Sequence, residues 1–420
     1  MVALQAANYI IPLLTFPYLT RTLGVEQFGA YALALAVASY LALFVDWGFA
    51  FTAPSQVARE RHLPNRLNEI FWSVLFARVG LGAGVLTILY VVIATVPPLQ
   101  TLWLPLACAS GLVLASMLTV SWCLQGLERM SKFALAAVIG KAMTIPATFF
   151  LVQDPEDAWI ALLIQSGGSA IGGVLSISFV LRLRIIGVPV IGMRAILDQI
   201  RQATPLFLSS VAVNIYTSSN TIVLGLLQGP ASVGLYAPAD RLRMVAQAII
   251  PPISQAVYPR VSRMFVEDRD KGLELSQHVL LLLGAITLVA SAALFLAAEP
   301  LVILIAGPMF AGAVPVLRWL APIPFIVSIN TVLGMQMMLP LGLNRPFSRV
   351  LIRAAAVDLV LIVPLTWYFG AEGAAMSVLA AELWVVTDMT LQLRRAGIVI
   401  VPAELLSRGA MRKLFRRLRP

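Results

Sequence analysis

The sequence predicts an all-α membrane protein of about 12 transmembrane helices, in two six-helix lobes related by a parallel pseudo-repeat. Three observations predict this fold class. Of the 420 residues, 60% are hydrophobic and 12% are charged, whereas about 25% of residues are charged in an average soluble protein. Apolar runs long enough to cross a bilayer recur along the whole chain. The two halves of the chain also share residues at a constant separation.

The apolar runs give the order of the predicted helices. They cover residues 4–22, 28–51, 70–96, 101–125, 134–152, 158–181, 203–227, 233–258, 277–298, 313–340, 350–370 and 373–392. The segment 299–312 is also apolar, but prolines and glycines interrupt it, which predicts a short interfacial helix or a turn. No basic segment precedes the first run, so we expect this run to stay in the protein as a helix.

Basic residues predict the orientation. Most of the 30 Lys and Arg residues lie in alternate connections and in the tail, and the other connections are almost free of them. Because basic loops stay on the cytoplasmic side, we expect a multi-pass membrane protein with both termini in the cytoplasm. The same pattern explains the net charge of +10 without a nucleic acid partner.

Five pairs of residues recur 205 positions apart in the sequence. They are Gly24 and Gly229, Gly29 and Gly234, Tyr31 and Tyr236, Ala32 and Ala237, and Pro54 and Pro259. This register predicts two similar halves related by an axis along the membrane normal. The predicted domains are an N-terminal six-helix lobe at 1–181, a cytoplasmic linker at 182–202, a C-terminal six-helix lobe at 203–392 and a basic cytoplasmic tail at 393–420.

Five basic residues fall within or near the ends of apolar runs. They are Arg78, Lys141, Arg241, Arg243 and Arg318. A charge at the bilayer centre costs at least about 2.5–3.5 kcal/mol, so we expect these side chains to line a bundle interior or a wet cavity and to bind an anionic substrate. Two alternatives stay open, namely positions at helix ends for Arg78 and Arg318 and snorkelling to the cytoplasmic side for Lys141.

The eighth run contains three charged residues in four positions. Asp240 and Arg243 are three residues apart on a helix and can pair, whereas Arg241 projects about 100° away from Asp240. We therefore expect Arg241 to be available to an anion. Arg243 either shares in substrate binding or is satisfied structurally by Asp240.

Acidic residues also lie in the apolar runs. They are Asp46, Asp240, Asp358, Glu382 and Asp388. Two hypotheses fit them, because buried acids either pair with buried bases or bind the coupling cation of a transporter, which would be a proton or a sodium ion.

The sequence carries no signature of an enzyme. It has no nucleotide-binding glycine loop, no paired metal ligands and no Ser/His/Asp set with usable spacing. Its two cysteines, Cys108 and Cys123, lie in or at the end of one apolar run and are expected to be small buried hydrophobic residues. The sequence therefore predicts a transporter without a cofactor, driven by an ion gradient or by removal of its substrate.

Three motifs resemble one family of bacterial membrane proteins. Residues 11–31 read IPLLTFPYLTRTLGVEQFGAY, residues 44–54 read FVDWGFAFTAP, and residues 126–129 read GLER. These segments resemble O-antigen and exopolysaccharide flippases of the polysaccharide transport branch of the MATE-like flippase superfamily. One departure is Ser55, where many relatives have a basic residue, so an inner-gate role is not carried over to this position.

The resemblance implies two lobes around a cationic cavity. It implies a flippase that moves undecaprenyl-diphosphate-linked oligosaccharide repeat units from the cytoplasmic to the periplasmic leaflet, in exchange for a cation, with polysaccharide polymerase machinery as a further partner. Two other functions stay open. A multidrug antiporter of the same fold would favour an excess of acids in the lumen, and a membrane polysaccharide polymerase would require a large polar outer loop.

Overall fold

The computed structural model describes residues 2–183, 185–189 and 192–400. Within these residues every regular element is helical. The elements are α1 (Val2–Asp46), α2 (Phe49–Glu60), α3 (Pro64–Thr95), α4 (Pro97–Gln100), α5 (Trp103–Leu118), α6 (Ser121–Gly126), α7 (Met130–Leu151), α8 (Ala158–Leu181), α9 (Met193–Gln247), α10 (Ile250–Glu267), α11 (Arg269–Leu296), α12 (Ala298–Ile305), α13 (Ala313–Leu320), α14 (Ile323–Thr331) and α15 (Asn344–Arg395). A π-helical segment, Val332–Met338, continues α14. The predicted all-α fold is confirmed, and the tail from residue 401 lies outside the described residues.

Three of the helices are broken at a glycine. The break in α1 is at Gly24 (φ 70°, ψ −179°), that in α9 is at Gly229 (φ 79°, ψ 179°), and that in α15 is at Gly370 (φ 56°, ψ −130°). A positive φ with ψ near 180° is open almost only to glycine. Gly24 and Gly229 are one of the pairs in the 205-residue register, so the sequence repeat corresponds to one backbone conformation used twice.

Nine helical stretches in the described part of the chain are long and apolar enough to cross a bilayer. Three of these stretches contain the glycine breaks, and they are Leu14–Glu60, Ser219–Glu267 and Asn344–Arg395. The breaks at Gly24 and Gly229 fall between two of the predicted runs, and the break at Gly370 falls on the last residue of the run 350–370. The multi-pass membrane fold is therefore confirmed, whereas the number of 12 spans stays a prediction.

The second predicted run extends about one turn too far, because α1 ends at Asp46 and not at residue 51. Trp47 (φ 45°) and Gly48 (φ 80°) both adopt the left-handed conformation, which ends the helix. Asp46 Oδ2 accepts a hydrogen bond of 3.3 Å from the Ala50 amide in the first turn of α2. The apolar run thus continues into α2, which is a separate helix.

The chain divides into two compact units. The first unit contains the residues up to Leu235 together with Ile303–Phe310, and the second contains Tyr236–Val302 and the residues from Ala311 onward. The lobe boundary predicted at 182–202 stays a prediction.

Each unit has its own buried core. In the first unit the core joins α2, α3, α6 and the beginning of α9, and its buried residues include Phe49, Phe71, Trp122, Leu124 and Ala203. In the second unit the core joins α10, α11, α15 and the π-helical segment, and its buried residues include Ile250, Leu283, Met337, Val350 and Met389. These cores hold the helices that carry the charged residues discussed below.

Candidate functional site

Charged side chains meet in the interior of the second unit. The acid cluster, as we name it, consists of Asp240 and Arg243 on α9, Asn330 on α14, and Asp358 and Glu382 on α15. Arg243 contacts Asp240 Oδ1 through Nη2 at 2.6 Å and through Nε at 2.7 Å. Asn330 Nδ2 donates to Glu382 Oε2 at 2.6 Å. The pair predicted between Asp240 and Arg243 is therefore present.

Asp358 completes the acid cluster. Its side chain is fully buried, and it interacts electrostatically with Tyr236 and with Glu382. Glu382 is in turn within electrostatic reach of Arg243. Asp240 and Glu382 are thus within electrostatic reach of one guanidinium, and Glu382 also faces the carboxylate of Asp358. Like charges at this distance repel each other, and the repulsion between Glu382 and Asp358 falls when a cation is taken up.

Arg241 lies next to the acid cluster in sequence but outside its hydrogen bonds. It is half-buried, and it has no hydrogen bond or ion pair among the described residues. A half-buried guanidinium without a protein partner carries five donors that can bind an anion. This is the arrangement expected from the 100° separation of Arg241 and Asp240 on the helix.

The remaining predicted basic residues have different surroundings. Lys141 on α7 is half-buried and has an interaction partner. Arg318 is exposed in the last turn of α13, and it has no hydrogen bond or ion pair within the described part of the chain. Neither residue joins the acid cluster.

Arg78 is held in the interior of the first unit. Only 5% of the residue is exposed, its Nη1 contacts Asp46 Oδ1 at 3.1 Å, and its Nη2 donates to the Ser116 carbonyl at 2.7 Å. Both terminal nitrogens are therefore occupied by the protein. Arg78 and Asp46 connect α3 to the junction of α1 and α2, and Nε of Arg78 is buried without a hydrogen bond in the described part of the structure.

Asp388 also lies outside the acid cluster. Its carboxylate contacts Arg353 Nη1 at 3.2 Å and accepts a hydrogen bond of 3.1 Å from Gln392 Nε2. Of the five acids singled out in the sequence, the structure brings three together, and it pairs Asp46 and Asp388 elsewhere.

Two glycines of the 205-residue register face each other in the first unit. A Cβ atom at Gly29 would lie 1.8 Å from the Pro230 carbonyl oxygen, and a Cβ atom at Gly234 would lie 1.9 Å from the Val25 carbonyl oxygen. Val25 and Pro230 are themselves 205 residues apart. This glycine contact is therefore symmetric, and it brings two helix backbones closer than any other side chain would allow.

A short segment packs beside the glycine contact. This strap, Ile303–Phe310, belongs to the first unit although its neighbours in sequence belong to the second. Arg21 Nη2 donates to the Leu304 carbonyl at 2.6 Å, and the rings of Phe28 and Phe310 meet edge to face at 5.9 Å. The strap thus fastens the α1 helix next to the break at Gly24.

Comparison with known proteins identifies the family. The family described as "Polysaccharide biosynthesis protein" matches residues 1–265, which is more than half of the chain. The chain belongs to this polysaccharide biosynthesis protein family. The resemblance found in the sequence motifs is thereby confirmed.

Relatives of this family match nearly the whole chain. A protein of Escherichia coli (strain K12) that carries the name of O-antigen transporter is 33% identical over 95% of this chain and 96% of its own length. A protein of Shigella dysenteriae with the same name is 30% identical over 92% of this chain and 96% of its own length. The succinoglycan biosynthesis transport protein ExoT of Rhizobium meliloti (strain 1021) is 26% identical over 76% of this chain and 63% of its own length.

Two solved structures have a fold similar to that of this protein. The lipid II flippase MurJ in an inward closed conformation matches with a TM-score of 0.73 at 14% identity, over 99% of this chain and 92% of MurJ. An inward-facing multidrug resistance MATE transporter matches with a TM-score of 0.70 at 16% identity, over 94% and 98% of the two chains. The predicted MATE-like fold is confirmed.

Two contacts in this protein have no signal in the sequence. Gly29 and Gly234 were visible as a repeated pair, but nothing in the sequence indicated that they touch. The partner of Arg21 lies 283 residues away, and no local pattern predicts such a contact.

Proposed function

We propose that this protein is a flippase that moves undecaprenyl-diphosphate-linked oligosaccharide repeat units from the cytoplasmic to the periplasmic leaflet for O-antigen or exopolysaccharide assembly. The observation that carries the proposal is Arg241, a half-buried cation on a membrane helix with no partner among the described residues. The names of the relatives support a transporter of this substrate class.

The chemistry of the substrate fits an unpaired guanidinium. A diphosphate loses its hydration when it enters an apolar slab, and charge-assisted hydrogen bonds from a guanidinium replace part of it. The lipid tail remains in the bilayer while the head group moves through the protein. In this proposal Arg241 binds the diphosphate directly, and Arg243, Lys141 and Arg318 are secondary sites. Arg78 takes part only if its pair with Asp46 opens.

The acid cluster supports coupling to a cation. Glu382 is within electrostatic reach of both Arg243 and Asp358, so uptake of one cation relieves the repulsion between the two carboxylates. The coupling cation of this proposal is a proton or a sodium ion. Asp46 and Asp388 are less suited to this role, because each has an arginine partner of its own.

The glycine contact supports alternating access. It lies beside the break at Gly24 in the middle of α1, whereas the basic residues Arg59 and Arg61 follow at the end of α2. With both termini and the basic connections in the cytoplasm of the inner membrane, as proposed from the sequence, the contact would close the periplasmic side. Lobes at 1–181 and 203–392, and polymerase machinery as a partner, remain part of the same proposal.

The function is tested with Arg241→Ala in a strain that lacks the native gene. Loss of a charge-assisted hydrogen bond costs about 1.5–3 kcal/mol, so substrate binding should weaken about 10- to 150-fold. Surface polysaccharide should fall on gels while lipid-linked oligosaccharide accumulates in the membrane. Arg241→Lys should restore part of the activity because it keeps the charge.

The matched control is Arg194→Ala, which removes an exposed arginine from the same helix. It should leave polysaccharide unchanged. Normal surface polysaccharide in Arg241→Ala, at equal amounts of protein in the membrane, contradicts the proposal. Drug sensitivity of the deletion strain with unchanged polysaccharide would instead indicate a multidrug antiporter.

A further inference from the structure

A polar cavity lies in the first unit, and none of the basic residues proposed to bind the diphosphate is among its lining residues. Its volume is about 380 Å³, and α2, α3 and the first turns of α9 line it. The lining residues are Gln56, Arg59, Glu60, Arg66, Glu69, Ile70, Ser73, Ala195, Asp198, Gln199 and Gln202. Nothing in the proposed path of the diphosphate uses this cavity.

The charges of the cavity nearly cancel. Glu60, Glu69 and Asp198 oppose Arg59 and Arg66, and Arg66 is already paired with Glu69 at 2.9 Å. The charged groups that remain are the guanidinium of Arg59 and the carboxylates of Glu60 and Asp198, with a net charge of about −1. A diphosphate would be repelled by this excess of acids, and the interleaved guanidinium disfavours a polycation. The electrostatics therefore favour a neutral ligand.

The cavity offers many hydrogen-bonding groups. Gln56 Nε2 donates to Gln202 Oε1 at 3.1 Å, and Gln199 Nε2 donates to Gln56 Oε1 at 2.9 Å. This glutamine ladder joins α2 to α9. The buried Oε1 of Gln199 has no hydrogen bond in the described part of the structure. A rotation of this side chain would let Oε1 accept a hydrogen bond from a ligand.

Three charged side chains of the lining are free to bind a ligand. No hydrogen bond or ion pair within the described residues involves the side chains of Arg59, Glu60 or Asp198. A guanidinium donates hydrogen bonds, a carboxylate accepts them, and an amide does both. A ligand that pairs with all of these groups must carry several closely spaced hydrogen-bond donors and acceptors, as the hydroxyl groups of a sugar are.

We propose that this cavity is a docking site for the neutral sugar part of the lipid-linked oligosaccharide. The proposal rests on the proposed flippase function, and it assigns the sugar and the diphosphate to different residues. Because the cavity is bounded by α2 and by the beginning of α9, a docked sugar would contact the connection on the basic side, from which the substrate is taken up.

Binding of three probes tests the proposal. Lipid-linked oligosaccharide is extracted from the deletion strain, the free oligosaccharide is released from part of it by mild acid, and undecaprenyl diphosphate serves as the probe without sugar. Affinities are measured on the full-length purified protein. Gln202→Leu and Asp198→Ala would each remove one or two hydrogen bonds to the docked sugar. Both variants should therefore bind the intact substrate about tenfold more weakly and bind undecaprenyl diphosphate as the unmodified protein does.

The controls separate the possible failures. Gln125→Leu removes an exposed glutamine outside the cavity and should change nothing. Retained binding of undecaprenyl diphosphate shows that each variant is folded. Equal loss of the free oligosaccharide confirms that the sugar alone is recognised, whereas unaltered binding of the intact substrate in both cavity variants overturns the docking site. If the unmodified protein binds neither lipid probe, the flippase function itself fails.

Discussion

The glycine contact allows a sharp prediction about the conformational change. In Gly29→Ala the new Cβ atom would lie 1.8 Å from the Pro230 carbonyl oxygen, and real Cβ atoms essentially never approach a neighbour closer than 3.0 Å. The two helices must therefore part by 1.2 Å or more at this point. Overpacking of this kind costs about 1–3 kcal/mol, which shifts the equilibrium away from the closed contact about 5- to 150-fold.

Spin labels can measure the opening. Glu26 and Ala231 are both exposed, lie beside the two glycines and are 205 residues apart, so cysteines at these positions report the separation of the two helices. The distance distribution should move to longer values in Gly29→Ala, and surface polysaccharide should fall because the contact no longer closes in each cycle. Gly234→Ala should have the same effect, since its Cβ atom would lie 1.9 Å from the Val25 carbonyl oxygen.

The control for this experiment is Gly84→Ala, because a Cβ atom at Gly84 meets nothing within 4 Å. It makes the same chemical change in a membrane helix, so it should leave both distance and polysaccharide unaltered. An unchanged distance distribution in Gly29→Ala and Gly234→Ala refutes the reasoning, as does a shift of equal size in Gly84→Ala.

Three further outcomes are expected. Arg78→Ala leaves Asp46 without its buried partner and should destabilise the protein by about 3–5 kcal/mol, seen as a lower melting temperature in detergent, whereas unchanged melting would show that the pair is not structural. Glu382→Gln keeps a hydrogen-bond acceptor but cannot release a proton, so transport in proteoliposomes should lose its dependence on a pH gradient, and retained dependence would exclude this residue as the carrier. The hydrogen bond from Lys271 lowers the pKa of Asp268 at the start of α11. Its carboxylate therefore stabilises this helix above the unfolded pKa, and the effect is lost as the pH falls through the lower folded value. Amide exchange at the start of α11 should rise at acid pH, and it should not do so in Asp268→Asn.

Local patterns were enough to predict much of the fold. A membrane-spanning helix can be predicted from its own segment, because its length and its hydrophobicity do not depend on the rest of the chain. The pair of Asp240 and Arg243 could be predicted for the same reason, since its two members lie on one turn of one helix. The family motifs in residues 11–54 added the expected fold and substrate.

Contacts between helices could not be predicted in this way. Arg78 and Asp46 are 32 residues apart on different helices, and whether they meet depends on the rotation and the depth of both helices. The apolar run around Arg78 therefore predicted a role in substrate binding, whereas in the structure Arg78 is paired with Asp46. The polar cavity was missed for the same reason, because its glutamines become neighbours only when α2 packs against the beginning of α9.

The two halves of the chain share their backbone breaks but not their charges. Gly24 and Gly229 have the same conformation, and Gly29 and Gly234 form the symmetric contact. In contrast, Asp240, Arg241 and Arg243 correspond in the 205-residue register to the apolar residues Leu35, Ala36 and Ala38.

This difference follows from what each feature has to do. A rocking movement about an axis between two halves requires hinges and contacts that move alike, so symmetric positions must carry the same small residue. The proposed function, however, requires one binding site for the substrate and one for a coupling cation, and a second copy of the charges would add the cost of burying them without a ligand. Under the proposed function, the repeated glycines would serve the movement, and the unrepeated charges would bind the substrate and the cation. A glycine substitution should accordingly change the conformational equilibrium in either half, whereas an arginine introduced at Ala36 should not replace Arg241.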